Sequence, residues 1–193
     1  MFRIRLQWLA PIVLLVLAFI LLEKSPQGLV AVTPAQPGDF PYAYMTDIET
    51  LEYDAEGKLV YKLETPAAKY FQRDANQPGA EDYTLIEQPR IIFYAANNAT
   101  PWHMSAAEGF SDANGYEVRL KTDVVAEQKS SAQGPIQVTT SELRVNTLLQ
   151  YAETDKAVKM RAQQNQIETV GMRAFLNEDR IELLSEVRGV YAP

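Results

Sequence analysis

The chain has 193 residues, of which 47% are hydrophobic, and it carries 18 basic against 25 acidic residues. That length suits one domain of ordinary size. The absence of cysteine excludes a disulfide framework, cysteine zinc sites, thiolate catalysis and a lipidated N-terminal cysteine. A single histidine excludes a multi-histidine metal site, and a net charge of -7 argues against a nucleic-acid-binding protein, which needs a basic surface.

An apolar run of 17 residues extends from Leu6 to Leu22 and contains one glutamine. As a helix it would be about 25 Å long, at the short end of what spans a hydrocarbon layer of about 30 Å. Arg3 and Arg5 precede the run, so the positive-inside rule predicts a cytoplasmic N-terminus and places everything after Lys24 across the membrane. The residues that characterise the predicted transmembrane helix are Leu6, Trp8, Pro11, Leu14, Leu17 and Leu22.

A cleaved signal peptide has the same order of charged and apolar residues and is the alternative interpretation. Glu23 and Lys24 follow the apolar run directly. The nearest site with small residues, Thr33–Ala35, lies far from the end of the run and contains a proline. These features favour an uncleaved anchor.

Charge and composition change after the anchor. Residues 1–24 carry three basic residues against one acidic residue, a net charge of +2, whereas residues 25–193 carry 15 basic and 24 acidic residues, a net charge of -9. Residues 25–41 contain four prolines and two glycines, which is typical of an extended linker. The predicted organisation is an anchor over residues 1–24, a linker over residues 25–41 and a folded domain over residues 42–193.

The folded domain shows the pattern of short β-strands. From Glu117 to Glu127 polar and apolar residues alternate with a period of two, with Val125 as the one break. Shorter alternations recur along the chain, and turn signals such as Asn114-Gly115 separate them. No helical stripe follows Leu22. The predicted fold class is therefore all-β, as a sandwich, a barrel or a jelly roll.

A faint internal repeat accompanies this pattern. The spacing of Val118, Leu120 and Val124 recurs at Ile181, Leu183 and Val187, and more weakly from Leu143 through Val145 to Leu149. One interpretation is that any strand repeats a period of two. The other is a stack of strand pairs that continues end to end into another molecule.

Residues suited to catalysis are scarce. Gly57-Lys58 resembles the end of a phosphate-binding loop, but Glu52 and Leu59 stand where that motif needs glycine and a hydroxyl residue. His103 has no evident partner nearby in the sequence and is expected on the polar face of a strand. A glycosidase would use two carboxylates, yet no acidic pair stands out from a charged surface.

Eight short segments follow the linker in a fixed order: Tyr53–Leu63, Ala68–Tyr70, Gln88–Arg90, Pro101–Ala106, Ile136–Thr140, Tyr151–Lys156, Gly171–Ala174 and Ile181–Arg188. Together with the anchor and the proline-rich linker, this order resembles the LptC family over nearly the whole chain. Members of that family are inner-membrane bitopic proteins of the lipopolysaccharide export bridge in Gram-negative bacteria.

The resemblance implies an OstA/LptA-like β-jelly roll in the periplasm, behind a single transmembrane helix in the inner membrane. It implies docking of the N-terminal edge onto the transporter subunit LptF and of the C-terminal edge onto LptA. The helix would associate with LptF and LptG, and the ATPase LptB would supply the energy. No enzymatic activity, cofactor, metal or nucleic-acid partner is expected.

Lipopolysaccharide would be held by apolar strand faces, because a domain with a net charge of -9 attracts an anionic headgroup poorly. Each CH₂ removed from water is worth about 0.8 kcal/mol, so a groove that covers several acyl chains removes a large exposure cost. The expected lipid-binding residues are Ile48, Leu59, Tyr61, Leu63, Ile86, Trp102, Met104, Val118, Leu120, Val124, Leu143, Val145, Met160, Ile181, Leu183, Val187 and Tyr191.

Two functional hypotheses of different classes remain open. In the first, the protein is an anchored, non-catalytic module that conducts lipopolysaccharide through the groove. In the second, it is a structural adaptor whose anchor and sheet edges only hold partners together. A β-sandwich hydrolase is a more distant third hypothesis.

Overall fold

The computed structural model describes residues 40–74, 76–94, 100–129 and 134–190. The predicted anchor and nearly all of the predicted linker lie outside these residues, and within them no helix is long and apolar enough to cross a membrane.

The prediction of an all-β fold is confirmed for the described part of the chain. Its strands are β1 (Ala43–Tyr53), β2 (Leu59–Phe71), β3 (Tyr83–Glu87), β4 (Arg90–Phe93), β5 (Trp102–Ser105), β6 (Glu108–Asp112), β7 (Glu117–Gln128), β8 (Ile136–Asn146), β9 (Tyr151–Ala162), β10 (Asn165–Phe175) and β11 (Arg180–Val190).

All described strands belong to one antiparallel sheet with the order β11-β10-β9-β8-β7-β5-β4-β2-β3-β6, in which β1 also pairs with β2 and β6 also pairs with β7. The long strands β2 and β7 each pair with two short strands on the same side. One half of β7 pairs with β6 and the other half pairs with β5, while β2 divides in the same way between β3 and β4.

A row of backbone irregularities crosses this sheet. The register shifts between Lys121 and Val124 in the β7–β8 pair, and again between Thr140 and Arg144 in the β8–β9 pair. Further shifts accompany Gly171 in β10. Positive φ angles mark the same row at Asp47, Thr122, Asp123, Gly171 and Glu186. Because bulges bend strands, the whole sheet bends along this row.

The turns between the short strands lie in the same row. The amide of Gln88 donates to the carbonyl of Ala107 at 2.9 Å, and the amide of Ala107 donates to the carbonyl of Thr122 at 2.9 Å. The bend therefore divides the sheet into two arms. The first arm holds β3, β6 and the halves of the long strands beside them, and the second arm holds β4, β5 and the other halves.

The inner faces of the two arms carry the core. In the first arm, strand register aligns Val118, Val145, Ala152, Ala174 and Ile181 in one row across five strands. In the second arm, it aligns Met104, Ala126, Val138, Met160 and Ile167. Alternate residues of β4 and β5, and of β7 on either side of the bend, are buried in this interior, as the period of two predicts.

The bend changes which residues of β11 face the interior, so one expected interior position is wrong. Ile181 and Leu183 are partly buried against the core, as expected, but Val187 is 53% exposed. Glu186 has a φ of 52°, which interrupts the alternation of β11 between Leu183 and Val187. In β7 the bend contains two residues of positive φ, so Val124 returns to the same face as Leu120 and is buried.

Candidate functional site

The interior between the arms contains most of the residues expected to contact lipid. Ten of the seventeen are buried: Tyr61, Leu63, Ile86, Trp102, Met104, Val118, Leu120, Val124, Leu143 and Val145. Their side chains pack in one cluster that joins both arms. The sequence pattern therefore located the interior, although burial alone does not distinguish a lipid contact from ordinary core packing.

The remaining expected residues lie at the margins. Met160, Ile181 and Leu183 are partly buried and pack against the core cluster, while Ile48 and Leu59 are partly buried on β1 and β2. Val187 is exposed, which contradicts its expected interior position. Tyr191 lies outside the described residues.

Several buried residues were missed from the sequence. Ile91 and Phe93 are 1% and 2% exposed on the short strand β4, and Met172, Ala174 and Leu176 follow Gly171 with a period of two. The alternation from Met172 to Leu176 was a usable signal. The signal at β4 was weaker, because three consecutive apolar residues there hide the period.

The described interior is filled by side chains. Leu120, Val145 and Ala152 have no exposed surface, and Phe93 stacks on Tyr61 with ring centroids 5.6 Å apart. Burial raises the pKa of the Tyr61 hydroxyl, and the nearby Glu52 carboxylate adds to the increase. A lipid chain would therefore have to displace these contacts.

A polar contact joins the two arms at the end of the folded sheet farthest from the bend. Gln128, at the end of β7, is 2% exposed, and its Nε2 donates hydrogen bonds of 3.0 Å to the Thr100 carbonyl and to Oδ1 of Asp179. Asp179 lies in the turn between β10 and β11, and β8 and β9 separate β7 from β10 in the sheet. We call the Gln128–Asp179 hydrogen bond the clasp, and this end of the interior the mouth.

Two edge strands flank the interior. In the described sheet β11 pairs on one side with β10, and β1 pairs on one side with β2. Large apolar side chains are exposed along both strands, including Tyr44 and Tyr53 on β1 and Leu184 and Val190 on β11. Each edge presents unpaired backbone groups that an added strand can use.

A buried carboxylate holds the loop between β2 and β3. Asp82 is 2% exposed, and its Oδ2 accepts hydrogen bonds from the Tyr70 hydroxyl at 2.6 Å and the Gly79 amide at 2.8 Å. Its Oδ1 accepts from the Arg73 amide at 2.8 Å. The Tyr70 hydrogen bond first, and then the two amides, lower the pKa of Asp82.

The outer face of the first arm is charged. Arg144 contacts Glu153 at 3.2 Å and Glu117 at 3.5 Å, and Arg119 contacts Glu142 at 3.6 Å. These side chains are roughly one-third to one-half exposed, so each pair stabilises the fold only weakly. Within the described residues no group of three or more histidine, aspartate or glutamate side chains is placed to hold a metal ion.

The chain was compared with curated proteins and with solved structures. No curated protein matches it at a significant level. Among solved structures, the crystal structure of LptH is similar with a TM-score of 0.49 and 10% sequence identity, over 69% of this chain and 95% of that chain. LptH is described as the LptA-homologous periplasmic component of the conserved lipopolysaccharide transport device from Pseudomonas aeruginosa.

A family model gives the assignment. The model described as "Lipopolysaccharide-assembly, LptC-related" matches residues 9–192, which include the whole described sheet. The resemblance seen in the order of sequence segments is thus confirmed: this chain belongs to the LptC-related family of lipopolysaccharide-assembly proteins.

Proposed function

We propose that this protein is a non-catalytic, lipopolysaccharide-binding component of the transenvelope export bridge. It receives lipopolysaccharide from the inner-membrane transporter and passes it through the apolar interior to LptA. The observation that carries the proposal is the family match over residues 9–192, combined with an apolar interior that lies between two exposed edge strands.

The interior supplies the chemistry for holding acyl chains. Its inner faces carry apolar side chains from both arms, and both the bilayer and this interior exclude water from a lipid chain. Transfer between two apolar surroundings is nearly neutral in free energy, so the interior gives no direction to transport. The direction comes from a partner, for which we propose LptB acting through LptF and LptG.

The two edges supply the docking surfaces. We propose that the β1 edge adds to a strand of LptF and that the β11 edge adds to a strand of LptA. The segment Arg180–Val190 contains no proline, so every residue of β11 has an amide hydrogen to donate. Exposed apolar side chains on each edge would be covered by the added strand.

The placement at the membrane rests on the N-terminal sequence. We propose that residues 1–24 contain a single transmembrane helix with a cytoplasmic N-terminus, and that it contacts LptF and LptG. Residues 25–41 then connect it to the folded periplasmic domain as an extended linker. Arg3 and Arg5 precede the apolar run and residues 25–41 contain no lysine or arginine, which agrees with translocation of the C-terminal side.

The filled interior favours a second candidate. If the arms never separate, no lipid chain enters, and the protein is an adaptor that joins LptF to LptA by its two edges alone. The exposed apolar residues of β1 and β11 suit this function as well.

Photocrosslinking in living Gram-negative cells separates the two candidates. A photoreactive residue replaces Ile86 or Ile181 inside, or Arg119 or Lys121 outside, in the full-length chain. Lipopolysaccharide adducts at the inside positions alone support conduction. Protein adducts without lipid at any position support the adaptor and overturn the conduction proposal.

A charged substitution gives an independent test. Ile181 is partly buried at the mouth, and Ile181→Asp places a carboxylate beside the proposed acyl-chain path. Conduction predicts loss of lipid adducts and of export. The matched variant Leu85→Asp changes an exposed leucine on β3, which lies away from both edge strands, and is expected to keep both. Unchanged export by a folded, docked Ile181→Asp protein would support the adaptor.

A further inference from the structure

The proposed function leaves open how a lipid chain reaches a filled interior. The two arms are joined along the bend by continuous backbone in the long strands, so they cannot part there without breaking the sheet. At the opposite end they are joined by side chains. Within the described residues, the arms can therefore separate at the mouth while the backbone pairing of the sheet stays intact.

The mouth already has an apolar margin. Ile136 and Ile181 are partly buried hydrophobic residues that pack against the core cluster, and Met160 and Leu183 do the same about two residues closer to the bend. Ile136 pairs in register with Gln128, and Ile181 lies two residues after Asp179. The residues of the clasp thus stand directly beside apolar side chains from both arms.

A buried donor lies next to the clasp. Trp102 pairs in register with Gln128 and is 4% exposed. Its indole Nε1 is buried and has no hydrogen-bond partner among the described residues. Buried donors are rarely left unpaired, and the ester or amide carbonyl at the head of an acyl chain is an acceptor of the right kind.

We infer that acyl chains of lipopolysaccharide pass into the interior through the mouth, and that the Gln128–Asp179 clasp holds this passage closed in the empty protein. The inference rests on the proposed function and specifies its path. Gln128 and Asp179 are positioning residues, because they control access without needing to touch the lipid. The Trp102 indole would donate to a carbonyl of the entering chain.

The clasp is strong enough to hold the two arms together and weak enough to open without unfolding the sheet. Its acceptor is a carboxylate, and hydrogen bonds to charged groups are stronger than those between neutral groups. Its acceptor is also on an exposed turn, so water can replace the lost contact when the arms part. Loss of the clasp should therefore raise the open population by about tenfold rather than unfold the sheet.

Locking the mouth tests the inference. The chain contains no cysteine, so Gln128→Cys combined with Asp179→Cys introduces the only two thiols. A reducible bifunctional thiol reagent then bridges the arms in the purified full-length chain. A photoreactive residue at Leu183 reports lipopolysaccharide in the interior, and each single cysteine variant treated with the same reagent is the matched control.

The expected result is a loss of lipid adducts of about tenfold on bridging, with recovery on reduction and no loss in either single variant. Equal adduct yields before and after bridging would overturn the inference and leave lipid binding itself standing. If even the unbridged protein gives no adduct at Leu183, both the inference and the proposed conduction fail, so the two failures are distinguishable.

Removing the clasp provides a second test. Asp179 has a φ of 49°, so Asp179→Gly deletes the acceptor without adding backbone strain. Asp179→Asn keeps an acceptor oxygen and tolerates the same φ, and it serves as the control. Lipid uptake should rise about tenfold in Asp179→Gly and by a smaller factor in Asp179→Asn, which keeps a neutral acceptor in place of the charged one. Uptake in Asp179→Gly equal to that of the wild type would contradict a gating clasp.

Discussion

A Cβ atom on Gly171 would lie 2.9 Å from Cδ1 of Leu184, across the β10–β11 pair. Gly171 has a φ of 80° and sits in the bend, where the register of β10 shifts against both of its neighbours. A side chain at this position would therefore require the half-exposed Leu184 side chain to move.

Gly171→Ala should destabilise the fold by about 2–4 kcal/mol, because a positive φ and the contact with Leu184 act together. Gly57→Ala is the matched control, since Gly57 has the same φ of 80° and nothing within 4 Å of its Cβ position. It should cost only about 1 kcal/mol. Chemical unfolding of the full-length chain in detergent measures both.

The double variant Gly171→Ala/Leu184→Ala isolates the contact. Leu184 is 48% exposed, so its truncation should cost little in itself. The double variant should recover part of the difference between Gly171→Ala and Gly57→Ala, because it removes the contact with Cδ1 and leaves the Cβ of residue 184 at 3.2 Å. If it is no more stable than Gly171→Ala alone, the steric explanation is wrong.

Leu120→Ala should reduce the free energy of unfolding by about 2–5 kcal/mol, since Leu120 has no exposed surface and its removal leaves a cavity between the arms. Leu85→Ala serves for comparison, because Leu85 is 39% exposed and should change stability by about 0.5 kcal/mol. Similar losses in the two variants would show that the arms do not pack as described.

The acid dependence of stability should include a contribution from Asp82. Its folded pKa lies below the ordinary value of 3.8, mainly because the Tyr70 hydroxyl donates to the carboxylate. The ionised Asp82 therefore stabilises the fold fully when the pH is above the ordinary pKa of 3.8. This stabilisation is lost as the pH falls through the lower pKa of the folded state. Thermal unfolding against pH measures it.

Asp82→Asn should be less stable than the wild type at neutral pH, and the difference should shrink as the solution becomes more acidic than pH 3.8. Tyr70→Phe removes the largest cause of the lowered pKa and should show a smaller effect of the same sign. A stability difference that stays constant across the acid range would rule out this linkage.

The charged outer face should contribute little. Arg144 is about half exposed although it contacts both Glu117 and Glu153. Arg144→Met is expected to cost less than about 1 kcal/mol, and the cost should fall further in high salt. Unfolding measured at low and high salt checks this, and a large loss that is insensitive to salt would contradict it.

The sequence was informative wherever its period of two continued without interruption. Val118, Leu120, Leu143 and Val145 were expected inside and are buried, because alternate residues of a strand point to one face. The turn at Asn114-Gly115 follows from local chemistry as well, since Gly115 has a φ of 76°. The family was readable from the order of short segments, which the match over residues 9–192 confirms.

Local pattern failed where the strands bend. Val187 was expected inside because it has the parity of Ile181, but Glu186 adopts a positive φ and ends that alternation. Nothing in the local sequence around Glu186 requires this angle. It arises because β11 must follow the bend that β7, β8, β9 and β10 impose on the sheet.

The clasp depends on tertiary structure for the same reason. Gln128 and Asp179 are 51 residues apart, and no periodicity relates the end of one strand to a turn three strands away. Strand alternation and family membership can be predicted from residues that are close together in the sequence. The meeting of the two arms, the filled interior and its mouth follow from long-range register, because only the folded sheet brings those strand ends together.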